Sequence, residues 1–355
     1  MSKYIIKGVP WSNGLTKDVK GCTTSQEVME KAGLNWQVKK CELVAKMPFG
    51  IGSNNMINEQ DNEFSRNGYI YRGLDNAFAT YRTDINVPLG LVKSKYEVVQ
   101  NLDAFNFFDD AIGEDKAIYL AAGCLGYGQK VYVTAKLPIE TTVNGDPIDN
   151  YLVFSNAHDG SGAVDIMFTP LRVMCTNMLA AGRQSAFAHI RIRHTKTAKE
   201  RLDKGAEVLR IACEMANNVQ DLYRSLEFFK MDDRLAMDYF ARLQLTEEEY
   251  AKLMNYNPTK GLELLFNRDY MTLDRCDISM RKANQLSTLF DYYYNGVAQK
   301  EIKGTGWGVY NAVTGYYSNV LDMEGQKRTE SLLWGSANNA VTKAFDLMLD
   351  YAEAV

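Results

Sequence analysis

Hydrophobic and polar residues alternate through much of the N-terminal half of the chain. Cys41, Leu43, Ala45 and Met47 take turns with Lys40, Glu42, Val44 and Lys46, a period of two that predicts a strand with one face inward. Shorter runs predict strands at Tyr69 to Leu74, Phe78 to Arg82 and Leu91 to Val99. Two more, Lys130 to Leu137 and Tyr151 to Ser155, flank the turn residues Asn144-Gly145-Asp146, and Val164 to Phe168 follows the turn Asp159-Gly160-Ser161-Gly162. Helices are few here. Thr24 with Glu27 three residues later has capping-box spacing, and Gly33 supplies the stop. Asn101 opens a helical segment, Leu102 to Ile112, with Phe105, Phe108 and Ile112 on one face. Thr169-Pro170 has the form of an N-cap followed by proline in the first turn, which predicts a helix to about Ala181, ended by Gly182.

Beyond His194 the period changes to three and four. Leu202, Ala206, Leu209, Cys213, Ala216 and Tyr223 describe a long amphipathic helix with a narrow apolar seam. Thr246 followed by Glu247-Glu248-Glu249 starts another by the capping-box rule, and Met280 to Tyr294 and Ala337 to Tyr351 are further helices. The pattern is α+β: a sheet-rich N-terminal half with few helices, then a mainly helical C-terminal half. No low-complexity linker or fixed repeat separates them, so residues 1–195 are taken as an α+β domain and residues 196–355 as an α-helical domain packed against it.

At 355 residues, 46% hydrophobic and 24% charged, the chain has the makeup of a folded protein with a sizeable core. No apolar run reaches the length of a membrane span. Met1 to Pro10 lacks the apolar stretch and cleavage site of a secretory leader, so a cytoplasmic protein with no membrane partner is expected. The six cysteines are scattered without a C-x-x-C pair or a histidine at ligand spacing, which predicts reduced thiols and no metal. A net charge of −4 and a pI near 5.6 give no overall attraction for polyanions, so contact with nucleic acid needs a local patch.

One segment supplies such a patch. Read as a strand, Ala186 to His194 sets Ala188, Ile190 and Ile192 on one face and Phe187, His189, Arg191 and Arg193 on the other. Same-face residues recur every ~6.6 Å along a strand, a step comparable to that of phosphates along an extended nucleic-acid strand. Arg183 precedes the row, and Lys196, Lys199, Arg201 and Lys204 follow it against only Glu200 and Asp203. Arg191 and Arg193 would contact phosphates, Arg183, His189 and Lys196 would extend the track, and Phe187 would stack a base. The plainer alternative is a solvated strand face whose charges pair within the protein.

No nucleophile elbow, zinc-binding helix or Cys/His signature is present, so the sequence assigns no catalytic residue, metal or cofactor. Gly123 to Gly128 lacks the Lys-Ser/Thr of a phosphate loop and the order of a dinucleotide fingerprint, and is read as a turn between strands. His158-Asp159 with Asp165 has two readings, an acid/base or metal cluster and a polar turn, of which the turn is the plainer. His189 and His194, five residues apart, fall on opposite faces of a strand and cannot share a metal there. The Tyr292-Tyr293-Tyr294 run and the Gly304 to Gly308 loop offer rings for stacking bases but fit packing at a domain seam better.

Several segments together carry a resemblance. They include Val9-Pro10-Trp11, Ala32-Gly33-Leu34-Asn35-Trp36, Tyr96-Glu97-Val98-Val99-Gln100-Asn101, Asn156-Ala157-His158-Asp159-Gly160-Ser161, Thr169 to Asn177, Ile192-Arg193-His194-Thr195 and Trp307 to Thr314. In that order they resemble an uncharacterised phage/plasmid-like protein family, a domain of unknown function carried on mobile genetic elements. The glycine-rich start usual after the Pro-Trp pair is here Ser12-Asn13-Gly14-Leu15-Thr16. The resemblance implies no activity and no catalytic residues, but its setting favours handling of DNA. The leading expectation is a non-enzymatic single-stranded DNA binding protein of phage or plasmid replication or recombination, annealing strands as a homo-oligomer. A metal-dependent hydrolase or nuclease, and a structural or host-interaction protein with its basic strand paired internally, are the other two readings.

Overall fold

A computed structural model describes residues 4–48, 64–66, 69–106, 109, 118–139, 141–143, 145–180, 189–196, 198 and 205–354. Strands come first in the chain and helices after them, as the change of period predicts. Among the described residues, no helix is long and apolar enough to cross a membrane.

The central sheet is antiparallel. Its main path runs through β1 (Lys17–Asp18), β6 (Ile118–Leu125), β7 (Lys130–Lys136), β9 (Asp146–Ala157), β10 (Val164–Arg172) and β11 (Asn177–Met178). Two shorter strands join off this path, β8 (Thr141–Val143) on β9 and β12 (His189–Ile192) on β10. Val131, Val133, Phe154, Ile166 and Phe168 enter one core cluster, which continues through Tyr223 to Phe345. Tyr132, Val153, Met167 and Leu171 point the other way, into a second cluster with Trp11, Leu332 and Leu333. Both faces are therefore sealed, and β10 is buried at every position.

This double burial explains a correction. Thr169-Pro170 does not begin a helix; β10 runs through both residues to Arg172. Across β10 from β9, β12 pairs with residues 164–167 and β11 with residues 171–172, so Pro170 sits in the gap between the two partners. Its carbonyl, on that same side, accepts from the Leu179 N–H. The missing proline N–H thus removes no ladder hydrogen bond. The strand expected at Leu91 to Val99 is also displaced, to β5 (Val87–Val92). The helix α2 (Asn101–Phe105) starts at Asn101, which does not cap it; its buried amide donates to the Leu34 carbonyl instead. Most of the stretch from 107 to 117, which the predicted Leu102 to Ile112 helix enters, lies outside the described residues.

The second sheet is a long β-arm. Strand β2 (Val38–Pro48) pairs along its length with β4 (Tyr69–Arg82), and β3 (Phe64–Arg66) and β5 share the other edge of β4. The register slips between Glu42 and Val44, where Asn76 takes a φ of 59° and its side chain accepts from the Ser94 N–H. That slip divides the two runs that alternation distinguishes, at Tyr69 to Leu74 and at Phe78 to Arg82. Helix α1 (Ser25–Ala32), capped by Thr24, packs beside α2.

The C-terminal half is helical: α3 (Gly205–Phe228), α4 (Asp233–Gln244), α5 (Glu247–Tyr256), α6 (Gly261–Phe266), α7 (Tyr270–Arg275), α8 (Met280–Asn295), α9 (Gly306–Gly315), α10 (Gly325–Leu333) and α11 (Ser336–Glu353). The Thr246 capping box forms with both of its hydrogen bonds. Tyr292 and Tyr293 are fully buried and pack with the other rings of this layer. Gly308 is a close approach, since a Cβ there would lie 2.2 Å from the Ile302 carbonyl oxygen. Between α9 and α10 a π-helical turn (Tyr316–Val320) leaves the Ser318 carbonyl to be taken by two donors of Arg328, whose guanidinium also reaches the carbonyls of Gly8 and Val9. With Lys7 on Asn319 and Thr329 on Pro10, these bonds strap the N-terminal segment across α10.

Candidate functional site

The described part of the basic strand is His189 to Ile192, ending before Arg193, and Arg183, Phe187 and the side chain of His189 lie outside what the structure describes. Where the row is described its alternation holds. Arg191, Arg193 and Lys196 are exposed, while Ile192 and His194 are buried. Antiparallel pairing sets Arg191 directly opposite Asp165 on β10, and the two form an ion pair with Nε to Oδ1 at 2.8 Å and Nη2 to Oδ2 at 3.4 Å. The Asp165 side chain is only 4% exposed against 57% for Arg191. An ionised carboxylate at that depth is costly without a partner, so the first task of Arg191 is internal. Asp165 in turn raises the guanidinium pKa. A guanidinium has five N–H donors, and this carboxylate engages two of its nitrogens, so the outer edge of the fork still faces solvent.

Arg191 opens onto a trench that no local sequence pattern marks. Two adjoining cavities of about 740 and 530 Å³ share Lys130 and Ser161, and together they separate the sheet from α10 and α11. Lys130 of β7, the loop from Asp159 to Gly162, Asp165 and Arg191 form the sheet side. The helix side carries Gln326, Lys327, Trp334, Asn338, Asn339 and Lys343. The Lys130 ammonium lies 4.5 Å over the Trp334 ring. Burial lowers its pKa, opposed by Asp159, Asp165 and Glu330. The indole N–H of Trp334 is buried without a hydrogen-bond partner among the described residues. A 770 Å³ hollow among α4, α5 and α6 is slightly larger, but it lies in the helical layer among Met231, Leu235, Met254 and Leu262, away from the basic strand.

Charge decides what the trench can do. Four cations, Lys130, Arg191, Lys327 and Lys343, face five acids, Asp159, Asp165, Glu324, Glu330 and Asp346. The lining is therefore not a polycationic groove. Its means of recognition are directional: a half-free guanidinium, side-chain amides on α11 and an aromatic ring. Sequence reading missed Lys130, Trp334, Asn338 and Asn339. The available signals were a lysine opening a run of apolar β-formers and a Trp-Gly break between two helices, both too common to single out.

The other candidate clusters do not assemble. His158 is wholly buried; its Nε2 lies 2.7 Å from Asn101 Oδ1, its ring meets Trp36 edge-on, and burial pushes its pKa down to about 3. Asp159 and Asp165 line the trench while His158 stays beneath it. His194, stacked on Tyr96 at 4.7 Å, is pushed by burial down to about 4. Among the described residues, no group of three His, Cys, Asp or Glu side chains is placed to hold a metal ion. Gly123 to Gly128 ends β6 and turns into β7, as the absence of phosphate-loop signals implies.

No curated protein and no solved structure matches the chain. A family model does match, over residues 88–340, which take in the central sheet from β6 onward, most of the trench and most of the helical half. By that match the chain belongs to the family described as a domain of unknown function, DUF932.

Proposed function

We propose that the chain binds single-stranded nucleic acid, with part of the strand seated in the trench between the central sheet and α10 and α11 and with Arg193 and Lys196 at its rim. The carrying observation is the meeting of Arg191, held in place by Asp165, with Lys130 on the Trp334 ring and the amides of Asn338 and Asn339. A fixed guanidinium and an aromatic ring suit bases and phosphates of an unpaired strand better than the uniform backbone of a duplex. The resemblance to a phage/plasmid-like family supplies the setting, DNA replication or recombination on a mobile element, and strand annealing by a homo-oligomer is the corresponding activity.

Fluorescence anisotropy with labelled single- and double-stranded DNA across a salt series tests this reading. Because acids offset the trench cations, the single-strand affinity should fall with salt at a log–log slope of only about −2 to −3, equivalent to three or four phosphate contacts. Arg193→Ala with Lys196→Ala should weaken binding and flatten that slope. Lys130→Ala with Lys343→Ala should cost about tenfold or more. Arg191→Ala is a poor probe because it also removes an ion-pair partner of the buried Asp165. Failure of the intact chain to bind single strands at low salt overturns the proposal.

A further inference from the structure

The two cavities of the trench differ in charge and in the groups they leave unpaired. The smaller holds Lys130, Arg191 and Lys343 against Asp346 and Asp165, the latter already engaged by Arg191. The larger holds Lys130 and Lys327 against Asp159, Glu324 and Glu330. Glu324 and Glu330 are exposed, and among the described residues their carboxylates make no hydrogen bond and no close ion pair. Lys130 reaches Glu330 only through the longer-range field, and Glu324 stands at the N-cap of α10 without its side chain capping the helix. Gln129 and Gln326, in the same cavity, accept from the N–H groups of Tyr127 and Gly126 at 2.7 and 2.5 Å, so their amide N–H groups are what they offer a ligand. Tyr127, in the turn at this end of the trench, is 62% exposed, and among the described residues its ring meets no other ring or cation.

We infer that the strand lies with phosphate at the Arg191 end and with an amino-bearing base at the Gly126 end, where the trench selects cytosine over thymine. The inference rests on the single-strand reading of the trench and adds which bases that strand carries. A phosphate entering the larger cavity meets carboxylates with no counter-charge in contact, and like charges repel. A base edge that donates hydrogen suits them, because an ionised carboxylate only accepts. Cytosine presents its N4 amino group where thymine presents the O4 acceptor. Against Glu324 or Glu330 the first forms a hydrogen bond and the second sets two acceptors face to face. The amide N–H groups of Gln129 and Gln326 complement the acceptors N3 and O2 that stand beside the amino group on the same edge of cytosine. Tyr127 stacks either pyrimidine, which adds affinity without discrimination.

Anisotropy titrations of the full chain with oligo(dC) and oligo(dT) of equal length, near neutral pH, test this, with thermal melts of every variant alongside. The parent should bind oligo(dC) about fivefold or more tighter, the low end of what one well-placed base contact discriminates. Glu324→Gln/Glu330→Gln should bring the two affinities within about twofold, chiefly by raising the thymine affinity, because each glutamine also offers an N–H to O4. A merely structural role for these exposed acids would not tighten any binding. Tyr127→Ala should weaken both complexes by about fivefold or more and leave their ratio unchanged. Lys343→Ala, at the other end, should also keep the ratio while reducing the salt slope by about 0.7. Equal affinities in the parent, or tighter binding of oligo(dT), overturn the inference and leave single-strand binding standing. A cytosine preference that survives the double glutamine change overturns it as well, since the discrimination then lies elsewhere. If the intact chain binds neither strand, the single-strand reading itself falls and takes the inference with it.

Discussion

Strands β9 and β10 and strands β2 and β4 are long antiparallel pairs of similar length in opposite environments. In the first pair both faces are sealed, and every position of β10 is buried. In the second the distal half is open on the face that carries Val44 and Lys46. The polar groups show what each environment demands. Asp146, Asn150, Asn156, Asp165 and Arg172 in the sealed pair each hold at least one named partner, because a wholly unpaired polar group there costs more than the bond it lacks, while Asp146 Oδ1, Asn156 Oδ1 and the Ser155 hydroxyl have none among the described residues. On the arm Lys46 merely rests on a ring, and its charge stays available. Polar residues in the sealed sheet serve the fold first, whereas those on the arm are open to a partner.

The strongest way to break this contrast is at Arg172, which is 2% exposed. Its Nε donates to Asp146, its Nη2 reaches the Ala298 carbonyl at 2.7 Å, and its Nη1 faces Cys175 Sγ at 3.7 Å. Arg172→Ala leaves the Asp146 carboxylate buried without a counter-charge, and should destabilise the chain by about 3–5 kcal/mol. Urea denaturation read by circular dichroism measures this. A loss below about 1 kcal/mol would mean that water reaches the pair.

Acid offers a second, graded probe, at the joint between the sheets. Thr80 Oγ1 of the arm donates to the His158 carbonyl at 2.5 Å, and His194 lies close enough to add to the effect of burial on His158. Both rings are held neutral, with pKa values pushed down to about 3 and about 4 by burial. An unfolded histidine titrates near 6.5. Between about pH 6.5 and those lower values the unfolded chain binds more protons, so stability is complete above that window and is lost as pH falls through it. Each ring contributes up to about 1.4 kcal/mol per pH unit. His158→Gln with His194→Gln should lower stability at neutral pH but make its decline from pH 6 to pH 4 shallower. A parallel decline would assign the acid sensitivity to other groups.

Local rules were legible in the sequence wherever one element carried its own signal. The Thr246 capping box, the Met280 to Tyr294 and Ala337 to Tyr351 periodicities and the alternation around Cys41 all correspond to the observed elements. Signals that depend on register or on a second layer were not. Residues 169–172 lose their strand pattern because neither face is polar, and the proline that suggested a helix occupies the gap between β11 and β12. The outward projection of Arg191 and Arg193 was readable from alternation, but the carboxylate facing Arg191 lies 26 residues away on another strand. The trench was invisible for the same reason: Lys130 and Trp334 are 204 positions apart and meet only when α10 packs on the sheet.

The smallest of these probes tests the joint between the two sheets. Gly90 of β5 is placed so that an added Cβ would lie 2.2 Å from the Asp159 carbonyl oxygen and 2.4 Å from its Cα. Those are backbone atoms, so no side-chain rotation relieves the clash, and either β5 or the loop from Asp159 to Gly162 must move. Gly90→Ala should therefore cost about 1–3 kcal/mol, in the range of core overpacking. Val44→Thr, an exposed change on the same sheet, should stay within about 0.5 kcal/mol. Because Asp159 and Ser161 also line the trench, the Gly90 variant should disturb single-strand binding more than its loss of stability alone would. Equal denaturation midpoints for the two variants would show a soft joint, with the arm free to move without disturbing the trench.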